Sequence, residues 1–136
     1  LERQHTHFEG GSAVESMARL NEEVLIAIQI EHRDAIDDLE HILAVPGIDV
    51  AFVGPADLSA SLGKPGAKGD PAVSQAIQKV IDVSRQCGVI PGIHTGSLEE
   101  AKLWVGRGMR MVGFATDIKL IQQVCKQSVK DLKALL

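Results

Sequence analysis

Four short apolar runs alternate along the chain with stretches whose apolar residues recur every three or four positions. Residues 24–30, VLIAIQI, are almost continuously apolar, the mark of a strand covered on both faces. From Ala35 the period changes: Ala35, Ile36, Leu39, Ile42 and Leu43 share one helical face, and Pro46-Gly47 ends that helix. DVAFV at 49–53 reads as a second strand. Asp70 can cap a helix with Pro71 at its first position. Val73, Ile77, Val80, Ile81 and Ser84 give this helix a narrow inward stripe before Gly88 ends it. VIPGI at 89–93 is a third strand, an assignment that Pro91 weakens because proline donates nothing to a ladder. Ser97 and Glu100 form a capping box for a helix running to Gly106. RMVGF at 110–114 is a fourth strand. Asp117 then caps a last helix in which Ile118, Ile121, Val124, Cys125, Ser128 and Leu132 share a face.

The order β-α-β-α-β-α-β-α at this spacing predicts an α/β protein with parallel strands and helical crossovers. Residues 1–136 read as a single partial domain. Within it, 24–136 make four βα units, and 1–23 are irregular apart from a short helix through Leu20, capped by Ser12 and Glu15. Four such units fit either an open doubly wound sheet or half of a (β/α)8 TIM barrel. No G-x-G-x-x-G follows any strand, so a dinucleotide-binding fold has no support. Periodicity leaves the choice open.

Composition narrows the function classes. Hydrophobic residues make up 45% and charged residues 24%, an ordinary globular balance. A formal net charge of −4 gives no electrostatic case for nucleic acid or an anionic membrane. Aromatics are 3% with no Tyr, which argues against base-stacking platforms. No apolar run approaches the ~20 residues of a membrane span, and no signal peptide opens the chain. Cys87 and Cys125 form no C-x-x-C pattern and fall on apolar helical faces, so buried reduced thiols and a cytoplasmic location are expected. The chain begins LERQHTHFEG without an initiating Met, which suggests a fragment, a processed product or an incomplete chain.

Two carboxylates sit where α/β proteins build their sites. Glu31 ends the first strand, and Asp57 follows the second strand by four residues, in AFVGPADLSASLG. Both therefore lie beyond the carboxyl ends of neighbouring parallel strands. Adjacent strands are ~4.8 Å apart, so the two side chains can converge on one ion. Two hard oxygen ligands with open positions suit Mg²⁺ or Mn²⁺. A Glu at a strand end and an Asp before Leu-Ser also serve as helix caps or surface residues. The spacing alone leaves both readings standing.

The stretch IQIEHRDAIDDLEHILAVPGIDVAFVGPADLSASLGKPG resembles the HpcH/HpaI aldolase family, the metal-dependent class II pyruvate aldolases. The specific features are the Q-x-E strand end and the G-P-x-D-L-S loop. The likeness continues more weakly through GVIPGI and MRMVGF and covers most of residues 20–120. It implies the C-terminal half of a TIM barrel. It further implies that Glu31 and Asp57 are metal ligands and that Gln29 is a catalytic residue bonding metal-bound water or the keto acid. The backbone around Gly54, Pro55, Ala56 and Asp57 would receive the pyruvate carboxylate. The implied reaction joins pyruvate, or another 2-oxo acid, to an aldehyde, or cleaves a 4-hydroxy-2-oxo acid, through a metal-bound pyruvate enolate. The resemblance also implies a homo-oligomer. The family's catalytic His and substrate-binding Arg lie on early strands with no counterpart in these residues, so residues 1–136 alone are expected to be inactive.

Two other readings stand beside it: a citryl- or malyl-CoA lyase-like enzyme, and a non-catalytic half-barrel. Among the remaining chemistry-bearing residues, His94 ends the third strand on the same rim. There it either shapes the aldehyde pocket or bonds the loop, and the structural bond is preferred. His32 and His41 read as surface residues of a helix, Trp104 as core, and His5 and His7 as solvated. HTGS at 94–97 reads as an ordinary βα loop, because no basic residue accompanies it.

Overall fold

The computed structural model describes residues 12–135. Helix α1 (Ala13–Glu23) starts at Ser12, whose side chain accepts from the Glu15 backbone while Glu15 reaches back to the Ser12 backbone. This is the expected capping box. Bonds from the Ser12 hydroxyl and then its backbone N–H hold the Glu15 carboxyl below its usual range. Residues 1–11, including His5 and His7, lie outside the described residues.

Four parallel strands follow: β1 (Ala27–Ile30), β2 (Val50–Val53), β3 (Ile90–Thr95) and β4 (Met111–Phe114). They pair in strict sequential order, β1-β2-β3-β4. A doubly wound sheet reverses its strand order at a switch point, whereas a barrel adds each strand beside the last. The sequential order is that of a barrel wall, and the choice left open by periodicity is settled. Among the described residues β1 and β4 are its two edges.

One face of this wall is covered. Ile30, Ala51, Val53 and Ile93 project into a core with Leu39, Leu43, Leu58, Val73, Ile77, Val80, Ile81 and Trp104. These come from α3 (Leu39–Leu43), α4 (Pro55–Ser61), α5 (Pro71–Cys87) and α6 (Leu98–Arg107). Asp70 caps α5 by accepting from Ala72 N–H, and Pro71 is its first residue, as its sequence predicts. The predicted α5 stripe is buried throughout, Ser84 included.

Several elements depart from expectation. The first strand begins at Ala27, because Val24 caps the end of α1 and residues 24–26 are exposed. The helix expected from Ala35 is two short helices, α2 (Arg33–Asp37) and α3, broken at Asp38 with φ −103° and ψ 21°. That break leaves the Ile36 carbonyl to accept from Lys79 Nζ at 2.8 Å, which ties α5 to the bend. Residues 55–61 form α4 where the sequence reads as a loop: Pro55 occupies the first position, which costs no hydrogen bond there. Pro91 lies inside a central strand. Its carbonyl accepts from Arg110 N–H, and the β3–β4 ladder begins one residue later at Gly92 and Met111. The missing proline donor thus falls where β4 has not yet started.

The last helix, α7 (Asp117–Lys133), is capped by Thr116 rather than Asp117, the Thr116 side chain accepting from Lys119 N–H. None of its residues is buried, so the apolar stripe from Ile118 to Leu132 faces outward among the described residues. Cys125 is consequently exposed. Cys87 is exposed as well, at the last turn of α5 before left-handed Gly88. The buried-thiol expectation fails at both positions, while Trp104 is core as expected, 6% exposed.

Two glycines two residues apart should respond oppositely to a methyl group. Gly108 caps α6 at φ +118°, and a Cβ there would lie 1.9 Å from Arg85 Nη2. The arginine can swing away, but the backbone strain stays, so Gly108→Ala should cost about 1–3 kcal/mol. Gly106 is helical with nothing within 4 Å of an added Cβ. Gly106→Ala should stabilise by about 0.5 kcal/mol. Urea midpoints of the two variants check the opposite signs.

Candidate active site

Strand register decides which side chains share the uncovered face. Gln29 pairs with Phe52 and Phe52 with Gly92, while Ile30, Val53 and Ile93 pair on the covered side. Successive residues alternate faces. Gln29, Glu31, Phe52, Gly54, Gly92 and His94 therefore all belong to the face without helices.

Contacts around the glycines bear this out. A Cβ on Gly54 would meet Gln29 Nε2 at 2.9 Å and Glu31 Oε2 at 3.0 Å. The two side chains lie over the bare Gly54 Cα and are joined there: Gln29 Nε2 donates to Glu31 Oε2 at 2.5 Å. The bond fixes which end of the Gln29 amide faces the carboxylate. One Glu31 oxygen is thereby engaged. A second group lies one strand further on. Phe52 rests its ring across β3 and β4, since a Cβ on Gly92 would come 2.7 Å from Phe52 Cδ2 and one on Gly113 2.9 Å from Phe52 Cζ.

Asp57 sits in the first turn of α4, exposed at the same strand-end rim. The helix is anchored on both sides of it. Gly54 N–H donates to Ile30 O at 3.2 Å, extending the β1–β2 ladder into the helix start. Ser61 Oγ accepts from Arg33 N–H at 3.1 Å, so α4 is tied to the segment that follows Glu31. Ser59 Oγ donates to Ala56 O at 2.7 Å and accepts from Gly66 N–H at 3.2 Å, pinning the loop after α4. The two serines of the motif are thus scaffold residues.

The four backbone positions named from the sequence are not equivalent. The Gly54 N–H is already engaged and Pro55 has none. The first intrahelical bond is Leu58 N–H to Gly54 O at 2.9 Å. The Ala56 and Asp57 N–H groups precede it and have no intrahelical carbonyl to donate to. Those two amides are the donors an approaching anion could use.

Glu31 and Asp57 are the residues that could offer carboxylate oxygens to a small hard cation, and Glu31 keeps one oxygen outside its bond to Gln29. Among the described residues no group of three or more His, Cys, Asp or Glu side chains converges on a point. An ion held by this pair would keep several positions for water and substrate oxygens, the habit of Mg²⁺ and Mn²⁺. No helix among the described residues is long and apolar enough to cross a membrane.

Sequence reading missed three contributors: Phe52, Gly92 and Gly113. Their signal was present as small residues alternating with apolar ones in VIPGIHT and RMVGF, opposite an aromatic at the middle of β2. His94 bonds the loop after β4, Nε2 lying 3.1 Å from Ala115 O, which is the structural role preferred for it.

Comparisons with known proteins agree with this architecture. The chain is 32% identical over 123 residues to the hydroxypyruvate/pyruvate aldolase of Chromohalobacter salexigens, covering 90% of this chain and 48% of that protein. It is 34% identical over 110 residues to the 4-hydroxy-2-oxo-heptane-1,7-dioate aldolase of Shigella sonnei, covering 81% of this chain and 42% of that one. The crystal structure of an HpcH/HpaI aldolase from Desulfitobacterium hafniense superposes with a TM-score of 0.86 at 33% identity, over 94% of this chain and 50% of that one. The chain thus spans about half the length of the relatives it matches, as four of eight βα units would. The profile of the family described as HpcH/HpaI aldolase/citrate lyase matches residues 3–123, and the chain belongs to that family.

Proposed function

We propose that this chain forms part of a divalent-metal-dependent aldolase, a carbon–carbon lyase that makes or cleaves 4-hydroxy-2-oxo acids from pyruvate, or a related 2-oxo acid, and an aldehyde. The observation that carries the proposal is the Gln29–Glu31 pair lying over Gly54, the residue that starts the helix whose first turn carries Asp57. Family membership supports the reaction type.

Each residue has a separable task. Glu31 and Asp57 would hold Mg²⁺ or Mn²⁺. When bound, such a cation supplies positive charge that offsets the charge developing as a 2-oxo acid loses a proton beside its keto group. Gln29 restrains Glu31 through its Nε2–H and keeps the carboxylate from swinging along the edge strand. The Ala56 and Asp57 N–H groups would donate to the substrate carboxylate, helped by the positive end of the short helix. Gly54 and Pro55 shape the approach: one leaves room above its Cα, the other starts α4 without an unmet donor. Phe52, laid over two glycines, gives the site an apolar floor. The exposed stripe of α7 supports a homo-oligomer as part of the same reading.

Three outcomes are expected in the whole protein. Thorough chelation should abolish pyruvate release from a 4-hydroxy-2-oxo acid, and Mg²⁺ or Mn²⁺ should restore it. Undiminished turnover after chelation would exclude the metal-assisted route. Asp57→Asn removes a ligand charge at constant size, so pyruvate release should fall at least a hundredfold while the circular dichroism spectrum is kept. Gly54→Ala should weaken Mn²⁺ binding about tenfold, the scale of lost outer-shell support. Its backbone, at φ −99° and ψ 88°, is open to alanine, so the effect isolates the contact with Gln29 and Glu31. Titration calorimetry with Mn²⁺ reads it directly.

A further inference from the structure

Asp57 is carried by a helix of only seven residues, and a helix that short takes its direction from whatever it is tied to. Burial settles one part of that direction. Pro55, Leu58 and Ser59 are buried, so this side of α4 faces the core while Asp57 stays exposed. The helix can still rock about its apolar contact. At its start one bond restrains it, from Gly54 N–H to Ile30 O at 3.2 Å. A single tie at one end is a pivot.

Ser61 supplies the second tie, at the other end. Its Oγ donates to Leu58 O at 2.8 Å and accepts from Arg33 N–H at 3.1 Å. The one hydroxyl hydrogen is spent on Leu58, which leaves the oxygen lone pairs for Arg33. Arg33 is the first residue of α2, where a backbone N–H has no intrahelical acceptor. The cap of that helix serves a different amide: His32 Nδ1 accepts from Asp34 N–H at 3.3 Å. Ser61 is thus the partner that the cap does not provide.

The two ends of this bond lie close in sequence to the two candidate ligands. Arg33 follows Glu31 by two residues. Asp57 precedes Ser61 by four, and residues four apart share one side of a helix. The side of α4 that meets Arg33 is therefore also the side that carries Asp57. A different tie holds the far end of α2. Lys79 Nζ donates to Ile36 O at 2.8 Å and pairs with Glu40 at 3.6 Å, which joins the α2–α3 bend to α5 without touching α4.

We infer that Ser61 is a positioning residue: its bond to the Arg33 N–H turns α4 so that the Asp57 carboxylate meets the same divalent cation as Glu31. The inference rests on the metal-site reading of Glu31 and Asp57 and adds the residue that aligns them.

The test uses the whole protein and Mn²⁺ alone, without pyruvate, read by titration calorimetry. Ser61→Ala should weaken Mn²⁺ binding about tenfold, the lower end of what lost outer-shell support costs. Ser61→Thr keeps a hydroxyl that can serve both partners and should stay within about threefold of the unsubstituted protein. Lys79→Met removes the other tie of α2. It should lower the urea midpoint and leave Mn²⁺ affinity within about twofold. In the metal-free unsubstituted protein, the Arg33 amide should be protected from hydrogen exchange, and this measurement holds whether or not a variant folds. Unchanged Mn²⁺ affinity in folded Ser61→Ala would overturn the inference while leaving the metal reading intact. So would an unprotected Arg33 amide, or a loss in Lys79→Met equal to that in Ser61→Ala, which would mark a general effect of stability. Absence of Mn²⁺ binding in the unsubstituted protein would remove the metal reading and this inference together.

Discussion

The ladder that pairs Ile30 with Val53, and Val53 with Ile93, carries the rest of the structure. It sends three large apolar side chains into the helical layer and, by alternation, leaves Glu31, Gly54 and His94 level on the opposite face. A slip of one residue would exchange the two sets, burying a carboxylate and an imidazole among Leu39, Ile77 and Ile81. The cost of an unpaired buried charge exceeds what the apolar residues could recover on the open face. The core therefore specifies the site. Nothing about Glu31 itself sets its direction; Ile30 does, by being wanted on the other side.

Glycines do the complementary work on the open face. At Gly54 the missing side chain is replaced by the hydrogen-bonded ends of Gln29 and Glu31, and at Gly92 and Gly113 by the ring of Phe52. Each is a close approach rather than a turn, since none of the three has a positive φ. The wall is thus smooth on one side and ridged on the other. Ridged, it packs helices; smooth, it has room for a ligand.

Much of this was legible in the chain, for reasons that differ by element. The α5 segment announces itself because Asp70, Pro71 and Gly88 mark both ends and its stripe faces a full core. β1 was overextended because VLIAIQI reads as one run, although Val24 is spent in capping α1 and Leu25 and Ile26 are exposed. α4 was hidden because Gly-Pro reads as a loop signal, while Pro at a first helical position is invisible to periodicity over seven residues. The buried thiols failed through tertiary context: an amphipathic stripe says which residues want cover, not whether cover is present. The candidate site residues are named by motif. Their relation to one another is not, because the contact between Gln29, Glu31 and Gly54 depends on register between strands far apart in sequence.

The two faces of the sheet also differ in completeness. On the covered face the core is closed, with Leu39, Leu58, Ile77 and Ile81 excluded from water. On the open face Ile90 is 42% and Met111 39% exposed, and β1 and β4 each present an unpaired strand edge among the described residues. Exposed edges and an apolar inner surface are conditions that folded proteins relieve by pairing or closure. The helical layer can hold the four strands in register without that closure, since it grips them all from outside. The site face cannot exclude water without it. The direction of Glu31 and His94 is accordingly set by this sheet, whereas the sealed, low-dielectric environment that the proposed proton transfer would require calls for closure of the open face.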